Sequence, residues 1–177
     1  MAVHHLALAI RDVEATHRFY TEAMGFELAR VEAVPTEAPG GWAKHLFYDT
    51  GEGMIAFWDL HDETLPDFDP AISTGQGLPV WINHIAFRAR DEDDLRTCID
   101  RWLSFGIDVT ELDHGWCRSV YATDPNGILV EWCMDTQPLT ADDRAEALRA
   151  LHDPAPTPKD APAPTFHLVK DFAPAGG

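Results

Sequence analysis

The 177-residue chain carries 13 basic and 30 acidic side chains, for a formal net charge of −17. That balance argues against nucleic acid or an anionic membrane surface as the main partner. No apolar run approaches the ~20 residues of a membrane-spanning helix. The N-terminal MAVHHLALAIRD lacks the basic start and long apolar stretch of a signal peptide. Three widely spaced cysteines, Cys98, Cys117 and Cys133, read as reduced thiols of a cytoplasmic protein.

In chain order the first signal is a repeat. VHHLALAIRDVEATHRFYTEAMGFEL, from Val3, matches INHIAFRARDEDDLRTCIDRWLSFGIDV, from Ile82. Each copy starts as a short alternating strand and reaches an Arg-Asp pair, Arg11-Asp12 or Arg90-Asp91. Each continues as a helix and stops at a glycine, Gly25 or Gly106. Ala15, Phe19, Tyr20 and Ala23 share one helix face, as do Leu95, Ile99, Trp102 and Leu103, which is amphipathic spacing. Asp12 and Asp91 are the expected N-caps. The runs FELARVEAV, KHLFYDT and GMIAFWDL complete the first copy, and IDVTEL, RSVYAT and GILVEW the second. Two βαβββ modules follow, an α+β class, spanning about residues 1–60 and 82–135 within a paired region 1–135. The connection 61–81 is long enough to be a lid or an ordered wrap. PLTADDRAEALRALHD predicts a C-terminal helix within 136–152, with Thr140 as N-cap and Asp143 three residues on. The tail 153–177 is rich in Pro and Ala, and Phe166, Leu168, Val169 and Phe172 suggest that its end docks.

Alternation places His5, Ala7 and Ala9 on one face of the first strand, and His84, Ala86 and Arg88 on one face of its counterpart. The repeat thus pairs His5 with His84. In the turn-containing stretch VYATDPNGILVEW, Glu131 interrupts an apolar strand, where an unpartnered carboxylate is costly. Two imidazoles and a carboxylate make a 2-His-1-carboxylate set, suited to Fe(II) or a similar divalent ion such as Mn(II) or Zn(II). His5, His84 and Glu131 are the candidate metal ligands.

These motifs, HHLALAIRDVEATHRFYTEAMGFEL, INHIAF and TDPNGILVEW, resemble the vicinal oxygen chelate superfamily of glyoxalase, fosfomycin-resistance, bleomycin-resistance and extradiol dioxygenase proteins. The resemblance covers Val3 to Asp135. It implies two βαβββ modules forming a curved, barrel-like mixed sheet around a metal, and a homodimer. The run His114, GWCRS, Val120-Tyr121, AT, Asp124-Pro125-Asn126-Gly127, ILV, Glu131 follows the extradiol dioxygenase signature, with Leu112 a minor departure. The resemblance therefore implies Tyr121 and His114 as catalytic assistants, dioxygen as co-substrate, and a small aromatic diol or other vicinal-oxygen compound as substrate. Ring-cleaving members carry a further histidine on the strand matching GMIAFW. None lies within that strand here, so His45 and His61 are the two candidates for its role. Trp42, Phe57, Trp58 and Trp116 are candidate pocket walls. The resemblance leaves two other activities open. One is a metal-dependent isomerase, lyase or fosfomycin-type transferase, with Arg88 and Arg118 as phosphonate-binding cations. The other is a metal-free, antibiotic-sequestering protein. Phe57 aligns with the fourth ligand of the isomerases and cannot ligate.

Overall fold

A computed structural model of the chain describes residues 3–173. The first module runs β1 (His5–Ile10), α1 (Val13–Arg18), β2 (Glu27–Pro35), β3 (Trp42–Asp49) and β4 (Met54–His61). The second runs β5 (His84–Arg88), α2 (Glu92–Phe105), β6 (Val109–Asp113), β7 (Cys117–Thr123) and β8 (Leu129–Asp135). Helix α3 (Ala141–His152) and a short strand β9 (Thr165–His167) follow. The sheets have strand orders β1-β4-β3-β2 and β5-β8-β7-β6-β9. In each, the module's first strand pairs in parallel with its last, and the other pairs are antiparallel. This is the α+β, paired-βαβββ class that the repeat predicts.

Local chemistry sets the helix starts. The Asp12 carboxylate accepts from the Ala15 N–H, and Asp91 accepts from Asp94 N–H, both at 2.9 Å. Gly106 ends α2 in the left-handed region, φ +94°. The first helix departs from its expected continuous form. After Arg18 it widens into a π turn over Phe19–Ala23, closed by Met24 N–H donating to the Phe19 carbonyl at 3.0 Å. Phe19, Tyr20 and Ala23 are all buried there.

One core joins the modules. It contains Phe19 and Tyr20 from the first helix, Leu95 and Trp102 from α2, Phe57 from the first sheet and Val130 from the second. Both sheets therefore turn one face to the helices and carry their other face outside the shared core. Phe26 packs between Phe87 and Trp132, with ring centroids 4.9 and 5.7 Å away. The TDPNG turn is a second seam. Asp124 accepts from Asn126 N–H and Ile128 N–H, both at 2.8 Å, and from the Tyr20 hydroxyl at 3.1 Å. Asn126 donates to Thr16 Oγ1 at 3.0 Å. Gly127 has φ +76°, and a Cβ there would lie 3.0 Å from the Ala71 side chain.

The segment between the modules is an ordered wrap. It holds one 3-10 turn, Thr74–Gln76. Arg11 pairs with Asp67 at 2.6 Å and also donates to the Phe68 carbonyl. Asn83 donates to the Ile72 carbonyl at 2.7 Å. The tail docks as expected, with β9 pairing on β6, His167 against Glu111 at 2.7 Å, and Val169 and Phe172 packed on the core. Phe166 differs from expectation and is exposed. The last four residues of the tail lie outside the described residues. No described helix is long and apolar enough to cross a membrane.

Candidate metal centre

The second module assembles four of the six candidate residues. Parallel pairing of β5 and β8 sets Ala86 opposite Glu131, so His84 is its diagonal neighbour on the face away from the helices. His84 Nε2 lies 3.0 Å from Glu131 Oε2, and Glu131 is buried. The other ring nitrogen, Nδ1, is 3.0 Å from the Trp81 carbonyl. A carbonyl can only accept, so Nδ1 carries the hydrogen and a neutral His84 aims the Nε2 lone pair at a carboxylate oxygen. Two acceptors at that distance repel unless a cation shares them. Either the ring is protonated, or a metal ion is held by both. A backbone carbonyl on the far nitrogen is a usual support of a metal-ligating histidine.

Tyr121 sits directly across from Glu131 on β7, so the two side chains share a face. Its hydroxyl is 3.2 Å from His114 Nε2. Burial pushes the phenol up to about 12, and the Glu131 charge adds to the effect against an opposing Ser119 bond. Tyr121 is therefore a hydrogen-bond donor at neutral pH. Trp116, next to His114 in the β6–β7 loop, is exposed.

The first module carries the rest. His5 begins β1 on its sheet's outer face, exposed, with its ring 5.6 Å from Phe47 and 6.3 Å from His45. His45 is buried, stacks on Trp58 at 3.8 Å and leaves Nε2 with no hydrogen-bond partner. Burial, then the nearby His5, lowers its pKa and keeps the ring neutral, with Glu32 opposing. His61 is on the other face, bonded to Asp59 at 3.0 Å and stacked on Trp42. Of the two alternatives, His45 alone shares the face of His5. Phe57 and Trp42 also lie on the helix side, Phe57 inside the core, so neither walls this face; Trp58 does. Arg118 likewise points to the helix side, held by Glu92 and Glu111, while Arg88 shares the His84 face but is bound to Asp135 at 2.7 Å.

Within one chain, then, His84 and Glu131 come together and His5 does not join them. Among the described residues no group of three or more His, Cys, Asp or Glu side chains gathers closely enough to hold a metal ion. The Trp81 carbonyl is the contributor that sequence reasoning missed. Its residue identity carries no signal, because any residue supplies a carbonyl.

Two thiols share the Glu131 face, Cys117 and Cys133. Burial pushes the Cys117 thiol to about 12, and Cys98, under α2, to about 11. Cys133 is only half-buried. Brief alkylation of the native protein, mapped by peptide mass spectrometry, is expected to label Cys133 first and leave Cys98 and Cys117 largely unmodified.

Paired βαβββ modules with a histidine–carboxylate pair on the outer sheet face define a class. The model of the Glyoxalase/Bleomycin resistance protein/Dioxygenase superfamily matches residues 2–132, and the chain belongs to that superfamily. Among solved structures it is similar to a glyoxylase/bleomycin resistance protein/dioxygenase domain from Frankia sp. EAN1pec, at 18% identity over 76% of this chain and 98% of that one, TM-score 0.57. It is also similar to a lactoylglutathione lyase from Agrobacterium tumefaciens, at 24% identity over 75% and 92%, TM-score 0.51. The fosfomycin resistance protein FosX from Listeria monocytogenes aligns at 18% identity over 81% and 98%, TM-score 0.52. At such identities the likeness is one of fold. No curated protein sequence matches the chain.

Proposed function

We propose that this protein is an Fe(II)-dependent oxygenase of the extradiol type, acting on a small aromatic diol or a related vicinal-oxygen compound. The observation that carries the reading is the His84–Glu131 contact, two acceptors at 3.0 Å with the far ring nitrogen tied to a carbonyl. His5 of a second copy completes the set, since the His5 face lies outside the shared core and its own chain does not bring it to His84. The protein is then a homodimer with a site at each junction. Fe(II) held by these residues would leave positions open for two substrate oxygens and dioxygen. Tyr121, protonated and linked to His114, hydrogen-bonds a substrate oxygen. His45 lies on the same face as His5, and its Nε2, unpartnered and buried beside Trp58 in the single chain, is the proposed acceptor of the second hydroxyl proton of the diol. Trp58 and Phe47 flank it as apolar walls. The isomerase alternative has weaker support, because Phe57 is buried in the core at the fourth-ligand position. The phosphonate alternative is weakened by the carboxylates already bound to Arg88 and Arg118.

Two measurements test this. An anaerobically loaded protein is screened against catechols for a coloured ring-fission product that needs both Fe(II) and dioxygen. Tight binding of an intact compound without metal would instead favour the sequestering activity. The shared site is tested by mixing His5→Ala and Glu131→Gln chains and allowing subunits to exchange. Each variant alone holds little Fe(II), whereas the mixture regains about one quarter of wild-type occupancy, from one intact site in each mixed twofold dimer. No gain on mixing sinks the shared site.

A further inference from the structure

We propose that the cleft between the two modules is a second binding site, which takes a flat aromatic carboxylate with Arg101 as its anion anchor. The inference depends neither on the metal reading nor on a second copy. Alternation puts Leu6, Leu8 and Ile10 of β1 on the helix side, as it does Ile85 and Phe87 of β5. Ile10 is 2% exposed there, but Leu6 is 42% exposed, and Ile85 and Phe87 are only half-buried. The helices thus leave part of that side open. What remains is a cleft of about 930 Å³, floored by the rings of Phe26, Phe87 and Trp132. Small-molecule sites have about this size, and most are apolar with a few polar groups that orient the ligand.

Two donors lining the cleft are not fully engaged within the chain. Arg101 reaches across from α2 and donates from Nη1 to the Met24 carbonyl at 2.8 Å. Its guanidinium lies against Gly25, where a Cβ would collide with it, 2.8 Å from Cζ. The glycine makes room for the group, and the carbonyl fixes its position. Among the described residues Arg101 pairs with no carboxylate, whereas its neighbours Arg88 and Arg90 are held by Asp135 and Asp94. The acids on the rim, Glu27 and Asp49, are exposed. A guanidinium has five N–H donors, and its planar fork matches a carboxylate. The second donor is the Nε1–H of Trp132, a buried group with no hydrogen-bond partner.

These groups select the occupant. Neither donor can accept, so the ligand brings acceptor oxygens. Three aromatic rings on the floor favour a flat apolar body beside them. An inorganic anion would satisfy Arg101 and leave the rings uncovered, and an ammonium compound would be repelled by it. The net charge of −17 opposes anions at long range, but salt screens that field beyond about 8 Å, and contact with a guanidinium acts well inside that distance. The cleft is also separate from the metal face. Ile85 and Trp132 follow His84 and Glu131 directly in sequence and point to the opposite side of the same two strands.

The test uses the full chain, treated with EDTA so that no metal on the outer face holds a carboxylate. The six tryptophans give indole signals in a proton–nitrogen correlation spectrum, and Trp132→Phe identifies the one from Trp132. Titration with 2-naphthoate is expected to shift that signal and to saturate. Neutral 2-naphthalenemethanol should bind at least about 10-fold more weakly, the scale of a lost charge-assisted hydrogen bond. Arg101→Gln should weaken naphthoate by a similar factor and leave the alcohol unchanged. Arg101→Lys keeps the charge and a donor for the Met24 carbonyl but not the fork. It should weaken naphthoate several-fold, and it makes the same test if the glutamine variant does not fold. Three results overturn the site: naphthoate that leaves the Trp132 signal in place, acid and alcohol that bind alike, or acid binding unchanged by substitution of Arg101.

Discussion

Replacing Glu131 with glutamine is expected to lower Fe(II) affinity by more than about 100-fold, beyond the 10–100-fold typical of outer-shell changes, while leaving the metal-free fold nearly as stable as before. The two effects separate for a physical reason. Glu131 is a buried carboxylate facing the lone pair of His84. Without a cation the pair is favourable only when the ring is protonated. Glutamine has the same shape and offers an N–H to that lone pair, so it relieves the clash that the metal otherwise relieves. His84→Ala acts differently. It removes a ligand and also the Nδ1–H bond to the Trp81 carbonyl, so metal binding falls and stability falls modestly with it. Equilibrium dialysis with Fe(II) under argon, beside thermal melts of the metal-free proteins, distinguishes the variants. Wild-type affinity should also weaken as pH falls, because protons compete with the metal for its ligands. If Glu131→Gln binds Fe(II) like the wild type, the metal assignment is wrong and the contact is an ordinary ion pair.

Asp124→Ala is expected to cost about 3 kcal/mol or more, because Tyr20, Asn126 and Ile128 lose a buried acceptor and an unsatisfied buried group costs ≈ 1–3 kcal/mol each. In a protein of this size that lowers the melting temperature by roughly 10 °C. Asp124→Asn keeps an acceptor and should cost much less. Its pH profile is diagnostic. Burial raises the Asp124 pKa despite the bonds from Ile128, Asn126 and Tyr20. A carboxyl raised in the fold stabilises most fully below its unfolded pKa, about 3.9, and that contribution is lost as pH rises through the folded pKa. The advantage of wild type over Asp124→Asn should therefore shrink as pH rises above about 4. Calorimetry of the three proteins checks both points. An alanine variant that melts within a degree or two of wild type rules out the staple.

The modules were legible because a repeated pattern of alternation, N-cap and terminal glycine is written locally, residue by residue. His84 and Glu131 were legible as candidates for one site, from the repeat and from a lone carboxylate in an apolar strand, whereas the direction of Tyr121 was not, because strand parity does not carry across the TDPNG turn. The choice between His45 and His61 was legible only in part. Strand parity puts them on opposite faces, but which face belongs to the site depends on where the helices pack. The failure of His5 to reach His84 was not legible at all. It follows from both helices sharing one core, a decision made by the summed shape of Phe19, Trp102, Phe26 and their neighbours and not by any short motif. The π turn escaped for a similar reason, since burying both Phe19 and Tyr20 overrides regular helical pitch.

The seam at Asp124 also sets an order of events during folding. Tyr20 waits for a partner 104 positions later, and Thr16 for one 110 positions later. While the chain is being made from its N-terminus, the first module has its strands but lacks the acceptor that its helix is shaped to bond. Contacts of such long sequence separation form slowly, because loop closure is paid for before they reward it. The two βαβββ units are thus repeats in pattern but not independent folders. Neither is expected to close its core before the TDPNG turn has emerged, so the native contacts of both units should form late and together.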